Sequence, residues 1–240
     1  MDPRPPHTDL DALRWFLAVD PVLATLRDEA VTRDATAHAA GAPDPTHDLG
    51  HALRVALWTL RLGGDAVDPR EAVMAALLHD AVNLLKNDPD RHRASERSAG
   101  LARERLSALQ VPADAVTRIA DAVRDHSFSR GAEPVTPLGR ALQDADRLES
   151  LGAIGLLRVI STGVRMGAEW FDAEDPWAER RALDDRAFSV DHFFAKLLRL
   201  PGTMRTEAGK AEAERRVELL RQFLTALADE LGAPLPATRP

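Results

Sequence analysis

A chain of 240 residues, 45% of them hydrophobic, is long enough to bury one sizeable core. Its formal net charge of −7 and its evenly mixed charges argue against a concentrated basic surface, so no nucleic-acid partner is expected. The lack of cysteine excludes disulfides and thiolate metal sites. The sequence has no run of 18 apolar residues, and its first six residues lack the apolar core of a signal peptide, so we expect a cytoplasmic protein without membrane association.

Good helix formers dominate the composition and β-branched residues are sparse, which predicts an all-α fold. The leucines of residues 10–26 predict one or two helices, interrupted near Pro21. The next helix is predicted near 46–62, closed by two glycines. A cap at Asp68, followed by a proline, opens a third helix that we expect to continue to about Leu85. The wholly apolar centre of this third helix, 72–78, should be buried on most sides.

The second half of the chain continues in the same manner, apart from an irregular, acidic and aromatic stretch at 167–188. Its helices are predicted from Ser95 or Ser98 to near Leu109, from Pro112 to near His126, from Thr136, over 150–163, from Ser189 to Pro201, and over about 206–231. Proline-rich ends at 1–7 and 233–240 are expected to fray. Without a linker or an internal repeat, we predict one domain over 1–240, with its core at about 8–232.

The apolar helix that begins at Asp68 reaches His79 and Asp80, and burying a carboxylate there is costly unless a partner compensates its charge. A metal ion would compensate it. Further candidate ligands lie on other predicted helices, namely His51, His126 and the pair Asp144 and Asp146. Helices packed as a bundle can each direct one such side chain into a shared interior. Spacing alone does not choose between Asp144 and Asp146.

Imidazole and carboxylate ligands without thiolate suit divalent Mn, Fe, Co, Ni or Zn, and suit Mg less well. Four protein ligands on a six-coordinate ion leave two positions for water or a phosphate oxygen. Hydrolysis needs such an open site, because the metal lowers the pKa of water and polarises the phosphorus. His47 lies four residues before His51 and could share its helix face, and we expect it to support the ligands or the helix entry rather than to bind metal.

The order His51, His79-Asp80, Asp146 resembles the signature of the HD-domain metal-dependent phosphohydrolase superfamily. Flanking stretches resemble the stand-alone bacterial hydrolases of the YedJ/YpgQ-like group, from about residue 40 to 225. They are 47–55, 78–80, 86–87, 126–128, 143–148, 152–155, 191–193, 196–198 and 204–210. The resemblance implies a single-domain HD-type helical bundle with a divalent metal, Mn favoured, on His51, His79, Asp80 and Asp146. Since only His92 and His126 lie between the His-Asp pair and the last aspartate, we expect one metal ion, and a second ion bridged through Asp80 stays an alternative. It places Asp146, rather than Asp144, at the family's final aspartate.

The resemblance also implies an enzyme that hydrolyses (d)NTPs to a monophosphate and pyrophosphate by metal-activated water. Asp80, Lys86 and His126 are then the candidate catalytic residues. The candidate substrate-binding residues are Arg54, Lys86, His126 and Lys196. Some HD nucleotidases carry a glutamate shortly after the His-Asp pair, whereas 81–85 here contains no acid, which leaves the general base open.

Other functions share the same metal chemistry and stay open at this point. The alternatives are a 5′-nucleotidase, a phosphodiesterase of cyclic nucleotides or dinucleotides, and a non-catalytic sensor that binds a nucleotide. All of them have a small-molecule nucleotide as partner. Either a monomer or a homodimer is compatible with the sequence.

Overall fold

The computed structural model describes residues 9–41, 44–82, 90–127 and 130–237. In these ranges the regular structure is helical, with no strand and one isolated β-bridge, between Glu169 and Phe188. The predicted all-α class is therefore confirmed. The chain forms two compact units, 1–146 and 147–240, and the expectation of one domain over 1–240 stays a prediction.

Helices α1 to α6 and most of α7 build the first unit. Their bounds are α1 Leu10–Val19, α2 Pro21–Ala39, α3 Leu49–Gly63, α4 Pro69–Leu78, α5 Ala94–Ala108, α6 Ala113–Asp125 and α7 Pro137–Leu148. Helix α4 packs against α2, α3, α5 and α6. Every residue from Ala72 to Leu78 is buried, as the apolar run predicted. Because α4 lies at the centre of the unit, the residues that directly follow Leu78, His79 and Asp80, start from its interior.

Asp20 separates α1 from α2 and joins them to α4. Its Oδ1 accepts hydrogen bonds from the N–H groups of Val22 (2.9 Å) and Leu23 (3.0 Å), which caps α2 ahead of Pro21. Its Oδ2 accepts from Arg70 Nε at 2.6 Å. Burial raises the pKa of Asp20, but the Arg70 and backbone hydrogen bonds outweigh it and leave the pKa lowered. The Asp20 carboxylate thus contacts the first turns of both α2 and α4.

Replacing Asp20 with alanine is expected to lower the free energy of unfolding by about 1–2 kcal/mol, because α2 loses its cap. The pKa of Asp20 is depressed below its ordinary 3.8, so this stabilisation is present above pH 3.8 and is lost as the pH falls through the folded-state pKa. Urea unfolding of both proteins at neutral and at strongly acidic pH measures the effect. The difference should shrink in acid, and Asp28→Ala, which changes a mostly exposed acid of α2, should have little effect. Equal stability of D20A and wild type at neutral pH would contradict the assignment.

Helix α4 ends at Leu78, and the prediction that it continues to about Leu85 is wrong. The N–H of Ala81 turns back to the carbonyl of Leu78 (3.2 Å), and the Ser98 hydroxyl accepts from the N–H of Val82 (3.1 Å). A side chain of α5 thus supplies a hydrogen bond that a longer helix would have made internally. The helix predicted from Ser95 or Ser98 to near Leu109 is observed as α5 Ala94–Ala108, but its N-cap is Arg93, whose side chain makes no capping bond, and not a serine.

The second unit contains α8 Gly152–Met166, α9 Asp191–Ala195, a 3₁₀ segment Leu197–Thr203, and α10 Glu207–Leu231. The predicted long last helix is confirmed: the Thr206 side chain caps it, and Gly232 closes it in the left-handed region at φ 61°. The predicted helix from Ser189 to Pro201 is wrong, because α9 breaks at Lys196 and Pro201 lies in the 3₁₀ segment. The irregular nature of 167–188 is confirmed. Within the described residues, none of the helices has the length and apolarity that a membrane span requires.

Candidate metal centre

His51 lies in the first turn of α3, and two carboxylates accept hydrogen bonds from backbone N–H groups of this turn. The Asp48 side chain caps the helix by accepting from the N–H of His51 at 2.8 Å. Asp34, on α2, accepts from the N–H of Leu49 at 2.7 Å. These two carboxylates fix where α3 begins, and with it the direction of the His51 side chain, which is 1% exposed.

His79 follows the last residue of α4, and a backbone bond determines which of its nitrogens faces the interior. Its Nδ1 lies 2.7 Å from the carbonyl of Ala76. A carbonyl can only accept, so Nδ1 carries the hydrogen, and in the neutral ring Nε2 keeps its lone pair. The end of α6 repeats this arrangement, since His126 Nδ1 lies 2.7 Å from the carbonyl of Val123. Two helix ends therefore direct imidazole Nε2 atoms inward, and the backbone carbonyls orient them as in many metal sites.

Helix α7 places Asp146 at the same point and Asp144 elsewhere. An oxygen of Asp146 joins the group formed by His51, His79 and Asp80, whereas Asp144 is fully buried and outside this group. Gln143, next to them, donates from Nε2 to the carbonyls of Asp125 (2.9 Å) and Ala132 (3.0 Å). This amide ties the loop that leads from α6 into α7. The tertiary structure thus distinguishes two aspartates that the spacing left equivalent.

His51, His79, Asp80 and Asp146 form a group that could hold a metal ion, with one ligand atom of each within 4.8 Å of the others. His51 Nε2 lies 3.1 Å from His79 Nε2 and 3.6 Å from Asp146 Oδ1. His79 Nε2 lies 3.3 Å from Asp80 Oδ2. A cation placed between these atoms would be attracted by all four groups. The donor set, two imidazoles and two carboxylates, fits a divalent first-row transition metal, Mn included.

The electrostatics of the protein chain alone point to the same need for positive charge. Burial by itself would lower the pKa of His79, but the carboxylates of Asp80 and Asp146 raise it to about 9. Burial raises the pKa of Asp80, yet the surrounding histidines hold it well below its ordinary value. The pKa of Asp146 is lowered in the same way, chiefly by His79. Without a metal, a proton on His79 therefore offsets one of the two negative charges, whereas a divalent cation would offset both.

Among the described residues, two further histidines approach the carboxylate of Asp80. His126 Nε2 lies 3.5 Å from Asp80 Oδ1, and its side chain is 5% exposed. His47 Nε2 lies 3.9 Å from Asp80 Oδ2, and its side chain is 19% exposed. The structure thus brings the candidate His126 to the cluster, at a buried position, and adds His47 on a more open side.

The other candidate substrate residues are distributed differently. Arg54 is half-buried on α3. Its Nη1 lies over Gly50: a Cβ built on that glycine would be 3.3 Å from Arg54 Nη1 and 3.1 Å from Asp48 Oδ1. Its guanidinium is thus directed toward the first turn of α3. Lys196 is half-buried at the end of α9, in the second unit. Lys86 lies outside the described residues.

Comparison with known proteins gives the family. Residues 48–151 match the model of the HD domain family. Over 191 aligned residues the chain is 30% identical to the Bacillus subtilis protein YpgQ. The aligned region covers 77% of this chain and 84% of YpgQ. The chain belongs to the HD-domain family. The resemblance drawn from the residues, including that to the YpgQ-like group, is therefore confirmed.

Solved structures of HD-domain proteins agree with this assignment. The crystal structure of B. subtilis YpgQ in complex with ADP matches with a TM-score of 0.61 and 27% identity, over 77% of this chain and 90% of that one. An HD-superfamily hydrolase from Bacillus thuringiensis matches with a TM-score of 0.59 and 27% identity, over 87% of this chain and 97% of that one. The all-α HD fold of the chain is thereby confirmed.

One contact of the HD-domain site was not predicted from the sequence. His47 Nδ1 lies 2.8 Å from Asp44 Oδ2, and Asp44 is not among the residues that the sequence predicts for the site. The signal was present in the residues 44–47, Asp-Pro-Thr-His, since an aspartate before Pro-Thr is typical of a turn in which its side chain accepts nearby hydrogen bonds. What the sequence did not indicate is that this turn lies next to Asp80.

Proposed function

We propose that the chain is a metal-dependent phosphohydrolase that acts on nucleotides and converts (d)NTPs to a nucleoside monophosphate and pyrophosphate. The observation that carries the proposal is the convergence of two imidazoles and two carboxylates within 4.8 Å. His51, His79, Asp80 and Asp146 would hold one divalent metal, with Mn favoured. When bound, the metal lowers the pKa of water and withdraws charge from the phosphorus.

The partly exposed edge of the cluster supports catalysis rather than a purely structural ion. The side chains of Asp80 and Asp146 are 26% and 23% exposed, whereas those of His51 and His79 are 1% exposed. A structural metal site is closed by its protein ligands, and a catalytic site keeps positions open for water or substrate. The two acids therefore form the side from which a phosphate group would enter.

The nucleotide class comes from a relative. The structure of B. subtilis YpgQ contains ADP, and ADP has the α–β phosphate bond that the proposed reaction cleaves in a triphosphate. In that reaction the water oxygen bonds to the α-phosphorus as the bond to the bridging oxygen breaks and pyrophosphate leaves, and the protons of the water pass to the products and the solvent.

The remaining candidate residues would bind the phosphate groups of the substrate or take part in catalysis. Asp80 is proposed as catalytic through the metal, and Lys86 and His126 as catalytic or phosphate-binding groups. Because His126 is 5% exposed, it would touch only an oxygen that enters the cluster itself. Arg54, on α3, is a further proposed substrate contact, and Lys196, in the second unit, stays a proposed substrate-binding residue.

Phosphorus NMR of the reaction products tests the proposal. Purified protein is incubated with dGTP, dATP, dAMP and a cyclic dinucleotide, with Mn²⁺ and again with excess chelator. We expect pyrophosphate and the monophosphate from the triphosphates, only with metal. Inorganic phosphate from dAMP would instead favour a 5′-nucleotidase, and an opened ring a phosphodiesterase. Tight nucleotide binding without any product, at any metal, would indicate a sensor.

A further inference from the structure

The open side of the metal-ligand cluster has a histidine of its own. His47 precedes α3, and its side chain is 19% exposed, close to the values for Asp80 and Asp146. Its Nε2 lies 3.9 Å from Asp80 Oδ2. His126 approaches the other oxygen of Asp80 and is 5% exposed. Of these two histidines, His47 is the one that a water molecule at the open side can reach.

The hydrogen bonds of the turn 44–47 determine the tautomer of His47. Its Nδ1 lies 2.8 Å from Asp44 Oδ2 and 2.9 Å from Thr46 Oγ1. The Thr46 hydroxyl donates its hydrogen to Asp44 Oδ1 at 2.6 Å, so Thr46 can offer Nδ1 only a lone pair. Both partners of Nδ1 are therefore acceptors, and Nδ1 must carry a hydrogen. In the neutral ring Nε2 is then an acceptor that faces Asp80.

The turn that holds this ring is itself held in place. Asp44 also accepts from the N–H of Thr46 at 3.1 Å, so its side chain closes the turn as well as orienting the ring. Burial raises the pKa of Asp44, but the hydrogen bonds from His47 and Thr46 outweigh it and hold the pKa far below its ordinary value. The carboxylate is thus charged over the whole working range of pH and remains an acceptor for Nδ1–H.

We propose that His47, oriented by Asp44, accepts a hydrogen bond from the water that attacks the phosphorus. Two acceptors 3.9 Å apart, His47 Nε2 and Asp80 Oδ2, can each accept one hydrogen of the same water at ordinary bond lengths. The water oxygen is then turned away from both acceptors and toward a phosphorus entering at the open side. His47 touches the reacting water, and Asp44 is a positioning residue that acts through His47. This inference rests on the proposed function and adds to it the group that aims the nucleophile.

A pair of substitutions at position 47 separates the Nε2 atom from the rest of the ring. His47→Asn retains an amide near the position of Nδ1, beside Asp44, and removes the group at Nε2. His47→Gln places an amide near the position of Nε2. We expect kcat to fall about 100-fold in H47N with little change in KM, and H47Q to recover part of it. Asp44→Asn should lower kcat about 10–100-fold, as losses of orienting partners do.

Two further measurements and a control variant separate this role from a merely structural one. Bound Mn²⁺, by elemental analysis, should stay at the wild-type level in H47N, H47Q and D44N. Nitrogen-15 NMR of the metal-free wild type should show His47 protonated at Nδ1, the less common tautomer of a free imidazole, and D44N should lose this signature. The pair His192 and Asp185, 2.8 Å apart in the second unit, is a matched control, and Asp185→Asn should leave kcat unchanged.

Several outcomes would overturn the inference. Loss of Mn²⁺ in proportion to activity in H47N would make His47 a ligand instead. Wild-type activity in H47N, or a hydrogen on Nε2 alone in the wild type, would remove the role of His47 and leave the proposed hydrolase intact. A wild-type protein that hydrolyses no phosphoester would overturn the proposed function and the role in the water step together.

Discussion

Replacing Asp80 with asparagine is expected to abolish both metal binding and hydrolysis. The carboxylate of Asp80 lies within 3.9 Å of an Nε2 atom of His47, His51, His79 and His126. The amide has nearly the same shape, but it has no negative charge to offer a cation. We expect Mn²⁺ content to fall to background and kcat/KM to fall about 1000-fold or more, since metal catalysis supplies several kcal/mol.

Elemental analysis, calorimetric titration with Mn²⁺ and pyrophosphate release measure this effect, and circular dichroism checks that the helices are intact. Asp28→Asn is the matched control, because Asp28 is a mostly exposed acid of α2 whose carboxylate pairs with Arg27. D28N should keep full metal content and activity. A D80N protein that still bound Mn²⁺ at the wild-type level would show that the ligand set is wrong.

Removing the metal from the wild-type protein is expected to lower its melting temperature markedly. A ligand that binds only the native state stabilises it by about 2.7 kcal/mol when its free concentration is 100 times Kd. For a chain of this size that corresponds to a shift of roughly 5–11 °C. The stabilisation comes from the four ligand residues. Without a cation, their two carboxylates repel each other and are offset only by a proton on His79, whose pKa they raise.

Differential scanning calorimetry of chelated protein and of protein with increasing Mn²⁺ tests this prediction. The shift should grow with the logarithm of the free metal concentration. D80N provides the control, because its melting temperature should not respond to Mn²⁺. If the wild-type protein melted at one temperature throughout the titration, the four residues would not form a metal site.

Several helices could be predicted closely because their signals are local. Asp68 with Pro69 opens α4, Thr206 caps α10, and Gly232 ends α10 in a conformation that glycine adopts without strain. A cap and its helix lie within a few residues of each other, so the sequence contains both. The end of α4 could not be predicted in this way, because the hydroxyl of Ser98, 16 residues further along the chain, bonds the N–H of Val82.

The candidate site also has features that the sequence predicts and features that depend on the fold. The residues by themselves pointed to His79 and Asp80 and offered His51, His126, Asp144 and Asp146 as further candidates, and the family resemblance then favoured His51 and Asp146. The fold decides the geometry, since the ends of α4 and α6 orient His79 and His126 through carbonyls three residues earlier. It also brings His47, whose ring is hydrogen-bonded to Asp44, beside Asp80, a contact between a turn and a helix end that no local pattern encodes.

The sequence by itself determined the helical class, most helix starts and the residue types of a thiolate-free metal site, because propensity, capping and ligand chemistry depend on residues and their near neighbours. Only the tertiary structure decided where α4 stops, which aspartate joins the cluster, which imidazole nitrogen faces it and which side of it is open. These features depend on hydrogen bonds and burial between residues far apart in the chain, and such contacts exist only once the helices have packed.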